Sequence, residues 1–283
     1  MFKKKLSRSL SGNLLLFMLL LLVAAFMLLP IVYALVTAFK PLDEIFIFPP
    51  RMYVKKPTLS NFSQLADILS SSWVPISRYV FNSLFVAVIG IVGHVFLASM
   101  AAYPLAKHNF VGKKACNAVV TLSLLFSYSV TYIPSYIVFA KIGWVNTFWP
   151  MIAGAWSLSL GLYMMSNFMG QIPMSLLESA RLDGCNEFQV WWRIVMPNVK
   201  PAWMTIAIFA FNSSWNTAGS TIYSEEMKLM QNVFSNAAVA GSGVARAGAG
   251  AAGALILMIP PVTLFLFCQS HILETMTTSG MKE

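Results

Sequence analysis

Charged and apolar positions alternate along the chain in long blocks. Six stretches longer than about 20 residues contain no Asp, Glu, Lys or Arg: 9–39, 79–106, 115–140, 142–177, 201–224 and 247–273. A bilayer core about 30 Å thick takes about 20 apolar residues as a helix, so each stretch holds one span. The fourth stretch is the longest, but Gln171 and Pro173 close its apolar part near Met169. The pattern predicts six transmembrane helices, near 14–39, 79–104, 115–140, 147–169, 201–223 and 249–273. Helices satisfy their backbone polar groups within the segment, which a lipid environment demands. The ten-residue alternation of membrane β-strands is absent. The class expected is all-α, a polytopic membrane protein, with residues 1–283 as a single transmembrane domain.

Composition supports this class. The chain is 58% hydrophobic and 10% charged, where a soluble domain carries roughly a quarter of its residues charged. Lys3, Lys4, Lys5 and Arg8 precede an apolar run, Leu14 to Phe39, that is too long for a cleaved signal sequence. It reads as an uncleaved first span. Six spans put both termini on one side. With that side inside, the inner segments hold Lys3, Lys4, Lys5, Arg8, Lys107, Lys113, Lys114, Arg181, Arg193, Lys200 and Lys282, a modest positive-inside bias. The net charge of +9 is accounted for by anionic lipid head groups, with no nucleic acid partner. Cys116, Cys185 and Cys268 have no metal-ligand spacing and read as reduced, structural thiols. No metal or cofactor is expected.

Three connections carry a local signal. In the first, 40–78, Pro49 and Pro50 exclude a helix, whereas Phe62, Leu65, Ile68 and Leu69 stand at helical spacing with Ser60 as N-cap, which predicts one short interfacial helix. The second, 104–114, is short and basic. The third, 224–248, is polar and then rich in glycine and alanine. Its end runs into GAGAAG, Gly248 to Gly253, which spells a dinucleotide-binding pattern. That pattern requires a preceding strand; at the start of a span, the small residues read as a surface for close helix packing. No P-loop sequence is present, so the chain has no recognisable means of hydrolysing ATP, and it is not expected to be an enzyme.

No charge falls within a span. Of the imidazoles near lipid depth, His94 and His271, His94 reads as a polar helix contact rather than a proton relay. The polar groups within the spans are neutral. Asn212, Ser213, Ser214, Trp215 and Asn216 form the densest group, and Asn82, Ser83, Ser127, Tyr128, Thr131, Tyr132, Trp156, Tyr163 and Asn167 add to it. Two readings stand: hydrogen bonds between helices, or a passage for a neutral polyhydroxylated solute. Asn82, Trp156, Asn212, Trp215 and Asn216 are the candidates for lining such a path.

The segment 171–200 is a polar island, ESARLDGCNEFQVWWRIVMP from Glu178 to Pro197. Pro173 suits a helix start and Gly184 a left-handed C-terminal position. Asn186 and Gln189 have the spacing of a capping box for a second helix, which Pro197 ends. Glu178 and Arg181 are spaced to pair along the first helix. The second carries Phe188, Trp191, Trp192 and Val195 on one face, directed at the membrane or the bundle. The first is read either as a docking element or as an ordinary amphipathic loop.

The run Glu178-Ser179-Ala180, three residues, Gly184, nine residues, Ile194-Val195-Met196-Pro197 resembles the EAA loop of ABC importer permeases, with Ser179 and Met196 as small departures. AFKPLDEIFIFPP, SWN at Ser214 to Asn216, and the ending AGALILMIPPVTLFLFCQSHILETMTTSGMKE look like the carbohydrate-importer subgroup and its smaller maltose-type permease. The resemblance implies a type I ABC importer permease fold in a bacterial cytoplasmic membrane. It also implies partners: a second, non-identical permease, two ATP-binding subunits and an extracytoplasmic solute-binding protein. Glu178, Ser179, Ala180, Arg181, Asp183 and Gly184 would then form the coupling helix that docks on the ATPase. Glycerol-phosphate-type or other small polar solutes, or a self-sufficient secondary carrier, are the alternatives; the absence of basic residues within the spans favours neutral sugars.

Overall fold

The computed structural model describes residues 10–70, 72–126, 128–217, 223–239 and 247–279. Lys3, Lys4, Lys5, Arg8, Ser127 and Lys282 lie outside them, as do the side chains of Tyr128 and His271. The described residues are helical and contain no strand. Among the described residues, three helices are long and apolar enough to cross a membrane: α1 (Leu10–Ala38), α4 (Ile76–Lys107) and α13 (Ala247–Ser279). The apolar core of α1 is exposed all round, the signature of a helix whose surroundings are lipid.

The middle apolar stretches are interrupted. The stretch 115–140, expected as one helix, is α5 (Lys113–Ser123) followed by α6 (Tyr128–Lys141). The stretch 147–169 is α7 (Trp149–Trp156) and α8 (Ser159–Gly170), broken at the extended residue Leu158. A break leaves carbonyls unpaired, and in a membrane protein the chain itself must supply partners. His94 does this: its Nδ1–H donates to the Trp156 carbonyl at 3.3 Å, so His94 is a helix-to-helix contact. The stretch 201–223, expected as the fifth span, holds α11 (Lys200–Trp215), which meets the preceding helix (Glu187–Asn198) at 82°.

The chain forms two compact units, Ser72–Val233 with Leu257–Glu283, and Met1–Ser71 with Phe234–Ile256. In the first, α4 is the central helix, packed by α7, α8 and α11. Small residues permit the approach. A Cβ on Gly93 would lie 2.1 Å from the Trp156 indole nitrogen, and one on Gly161 2.0 Å from His94 Nε2.

The second unit organises the loop after α1. It contains a short helix, α2 (Leu42–Ile45), and α3 (Ser60–Ser70), the helix expected there, which begins at Ser60 rather than one residue later. Lys40 is buried, donates to the Arg51 carbonyl and lies over the Tyr33 ring. Glu44 accepts the backbone N–H groups of Lys55 and Lys56. Asn61 donates to the carbonyls of Ala38 and Lys40 at 2.9 and 2.7 Å. Gly248 lies against Asn61 and Gly253 against Phe234, so the GAGAAG run is a helical packing surface. The connection 224–248 is not wholly irregular: it contains α12 (Met230–Val239), whose apolar spacing is masked by the polar and glycine-rich residues around it.

Candidate functional site

The segment 171–200 begins at Pro173, which stands just before α9 (Met174–Leu182) with extended backbone angles. Leu177 and Ala180, three apart, are buried. They join a cluster with Met165 and Met169 of α8, Ala102 and Tyr103 of α4, and Val190, Trp191 and Val195 beyond. Burying a side chain such as Leu177 contributes about 1.5–3 kcal/mol, which fixes the rotation of α9. Ala180 therefore faces inward, while Glu178, Ser179, Asp183 and Gly184 are exposed. Sequence reasoning missed Leu182, which is 89% exposed on this outer surface; an apolar residue four positions from Glu178 was the available signal.

Gly184 turns the chain with φ +87°. Its N–H donates to the Arg181 carbonyl and that of Cys185 to the Ala180 carbonyl. These two bonds make a Schellman motif, in which a left-handed residue closes the helix. Asn186 then caps the second helix, α10 (Glu187–Asn198). Its Oδ1 accepts from Gln189 N–H at 2.8 Å, and Gln189 Oε1 accepts from Asn186 N–H at 2.9 Å. Within α10, Val190–Val195 form a π-turn, and Met196 N–H reaches back to Trp191 O. Pro197 does not end the helix, which runs on to Asn198. The widened turn relieves the clash between a proline ring and the carbonyl four residues earlier. The aromatic face is split. Trp191 is buried against Phe96 and Phe188, whereas Trp192 and Phe188 are more than half exposed.

Arg181 does not pair with Glu178. Its Nε donates to Glu187 Oε1 at 2.8 Å, because the Gly184 turn brings the start of α10 beside the end of α9. Glu187 is a hub: Tyr103 Oη donates to its Oε2 at 2.8 Å, and His108 Nε2 lies 3.4 Å away. The Arg181 guanidinium holds the Glu187 carboxyl below its usual range, with help from Tyr103. One turn along, Lys107 donates to the carbonyls of Gly170 and Ile172 at the end of α8. The last turn of α4 thus grips both the α9–α10 corner and the end of α8. The Glu178 carboxylate remains turned outward.

The expected path residues take different partners. Asn82 is fully buried and donates to the carbonyls of Glu226 and Lys228, tying that loop to α4. Trp215 is buried and its indole N–H donates to Leu257 O at 3.1 Å. Trp156 donates to Ile89 O. These three hold helices and loops together. Asn212, half-buried, bonds within its own helix, and Asn216 is exposed at the end of α11.

A family model described as a binding-protein-dependent transport system inner membrane component matches residues 4–274. Over 198 residues the chain is 31% identical to the polygalacturonan/rhamnogalacturonan transport system permease protein YtcP of Bacillus subtilis (strain 168), covering 70% of this chain and 67% of that one. It is 24% identical over 263 residues to the arabinooligosaccharides transport system permease protein AraQ of Halalkalibacterium halodurans, covering 89% and 90%. The fold matches a chain in the crystal structure of a bacterial ABC transporter involved in the import of the acidic polysaccharide alginate. The TM-score is 0.73 at 19% identity, covering 94% of this chain and 99% of that one.

Proposed function

From the premise that the chain belongs to the family of binding-protein-dependent transport system inner membrane components, we propose that it is one of two non-identical permeases in an ATP-driven oligosaccharide importer. It forms half of the path, and its termini and the 171–200 segment face the cytoplasm. Two ATP-binding subunits and an extracytoplasmic solute-binding protein complete the machine. The names of the relatives, which refer to polygalacturonan/rhamnogalacturonan and to arabinooligosaccharides, support a sugar as the solute.

The observation that carries the coupling role is the outer face of α9. Glu178, Ser179, Leu182 and Asp183 stand exposed there, and the Gly184 corner holds them in place. Leu182 in water is a natural apolar anchor, and covering it in a cleft of the ATPase contributes about 1.5–3 kcal/mol. Glu178 and Asp183 flank it with charge. Coupling follows from linkage: ATP binding to the partner favours one of two arrangements of the bundle. The push enters at α9, crosses the Arg181–Glu187–Tyr103 contacts and reaches α4, around which α7, α8 and α11 pack.

The test is reconstitution with and without the second permease, the ATPases and the binding protein. Uptake of arabino-oligosaccharides, galacturonan oligomers and α-glucosides is measured. ATP-dependent uptake is expected only from the complete complex, and Glu178→Lys should abolish it without changing membrane insertion. Uptake by the lone chain without ATP would sink the proposal.

A further inference from the structure

A cavity of about 150 Å³ opens between α4, α5 and α8, lined by Leu105, Asn117, Thr121, Tyr163, Ser166 and Asn167, with Val120 and Leu162 completing it. On α8, Tyr163, Ser166 and Asn167 share one face at i, i+3 and i+4; on α5, Asn117 and Thr121 share one at i and i+4. The two faces look into the same space. Thr121 bonds the backbone of its own helix, at Asn117 O. Among the described residues, the side chains of Asn117, Tyr163, Ser166 and Asn167 take no hydrogen-bond partner from this chain. Asn117, Thr121, Tyr163 and Asn167 are exposed.

Lipid tails offer such groups nothing. Unpaired amides and hydroxyls on helices of a membrane protein face water, a solute or another helix, because each one left to hydrocarbon is costly. No lining residue is charged. Amides and hydroxyls both donate and accept, as sugar hydroxyls do, and a tyrosine ring covers an apolar sugar face. A phosphate or carboxylate would call for a cation, and none is in the lining.

We propose that this cavity is a water-filled solute station of the translocation path, taking the uncharged, hydroxyl-rich face of an oligosaccharide. This rests on the import reading above. The cavity lies within one turn of Gly170, whose carbonyl Lys107 holds, so a shift of the α4 end that follows the coupling segment changes the width of the cavity. The polar path is thereby moved from the Asn212–Asn216 cluster to the α5–α8 face.

The test uses the complete transporter in inside-out vesicles, with Cys116, Cys185 and Cys268 replaced by serine. Thr121→Cys, Ser166→Cys and Asn167→Cys are exposed to a membrane-impermeant maleimide, with Val119→Cys, on the other side of α5, as the lipid-facing control. Labelling at 121, 166 and 167 but not at 119 is expected. Protection of all three in the complex means that a partner helix covers the face, and overturns the proposal. The pair Thr121→Val and Asn167→Leu should lower uptake by about fivefold, roughly the worth of one hydrogen bond, at unchanged ATPase docking. Labelling with unchanged uptake also overturns it. Failure of wild-type uptake of any sugar is a separate result, which defeats the import reading and not the accessibility of the cavity.

Discussion

Substitution at Gly184 separates the geometry of the coupling corner from the contact it makes. The residue is left-handed, with φ +87°, and a Cβ added there would meet nothing within 4 Å. The cost of Gly184→Ala is therefore conformational, about 1–2 kcal/mol for an L-residue held in this region. The two Schellman bonds that hold the corner contribute about 0.5–1.5 kcal/mol each, so the strain is comparable to what holds the turn. Alanine should shift the ratio of formed to unformed corner by about 5- to 30-fold, the Boltzmann factor of that strain. Gly184→Asn should cost less, because asparagine tolerates this backbone. Gly184→Phe in the isolated permease should resemble Gly184→Ala, since the space is open. In the assembled transporter it should be worse, because a docked subunit occupies that space. The assay is ATP-driven uptake by the complete complex, alongside thermal unfolding of the permease alone. Equal uptake for Gly, Asn and Ala would refute the role of the left-handed corner. Equal uptake for Ala and Phe would refute a partner seated on it.

Two further substitutions probe transmission and packing. Glu187→Gln keeps the shape of the hub but removes the charge that Arg181 meets. The pair is partly exposed, so the loss is about 1 kcal/mol or less, and transport per ATP should fall several-fold with docking retained; an unchanged ratio refutes transmission through the hub. The Glu187 carboxyl is held low, so its contribution is present above the unfolded value and is lost only as pH falls through the lowered folded value. Coupling through it should therefore not vary near neutral pH. Gly161→Ala would set a Cβ 2.0 Å from His94 Nε2, an overpacking worth about 1–3 kcal/mol. Its melting temperature should drop, and adding Gly161→Ala to His94→Ala should cost nothing further; an unshifted temperature contradicts the packing at the α7–α8 break.

What could be read from the sequence was local. The α3 helix was legible from Phe62, Leu65 and Leu69, and the corner from Gly184, Asn186 and Gln189, because each signal depends on residues a few positions apart. The interruption at Leu158 was not legible. It depends on His94, more than 60 residues away, accepting the role of partner to a carbonyl that a continuous helix would have used. Arg181 has Glu178 as its nearest acid on the same helix but pairs with Glu187 across a turn, where Tyr103 of α4 and His108 just beyond it converge. Asn82 and Trp215 looked like solute ligands because an amide and an indole suit sugars. In the fold both donate to distant backbone carbonyls, at Glu226, Lys228 and Leu257. Polar residues in membrane helices have two uses, and only the fold assigns each residue to one.

The most direct test of the central claim is cross-linking from the outer face of α9. Ser179→Cys and Leu182→Cys, in the background lacking the three native cysteines, are derivatised with a photoreactive maleimide in the assembled transporter. The account predicts adducts with the ATP-binding subunit from both positions, with yields that change when ATP is bound. No adduct from either position, in a complex that still imports its sugar, would contradict it.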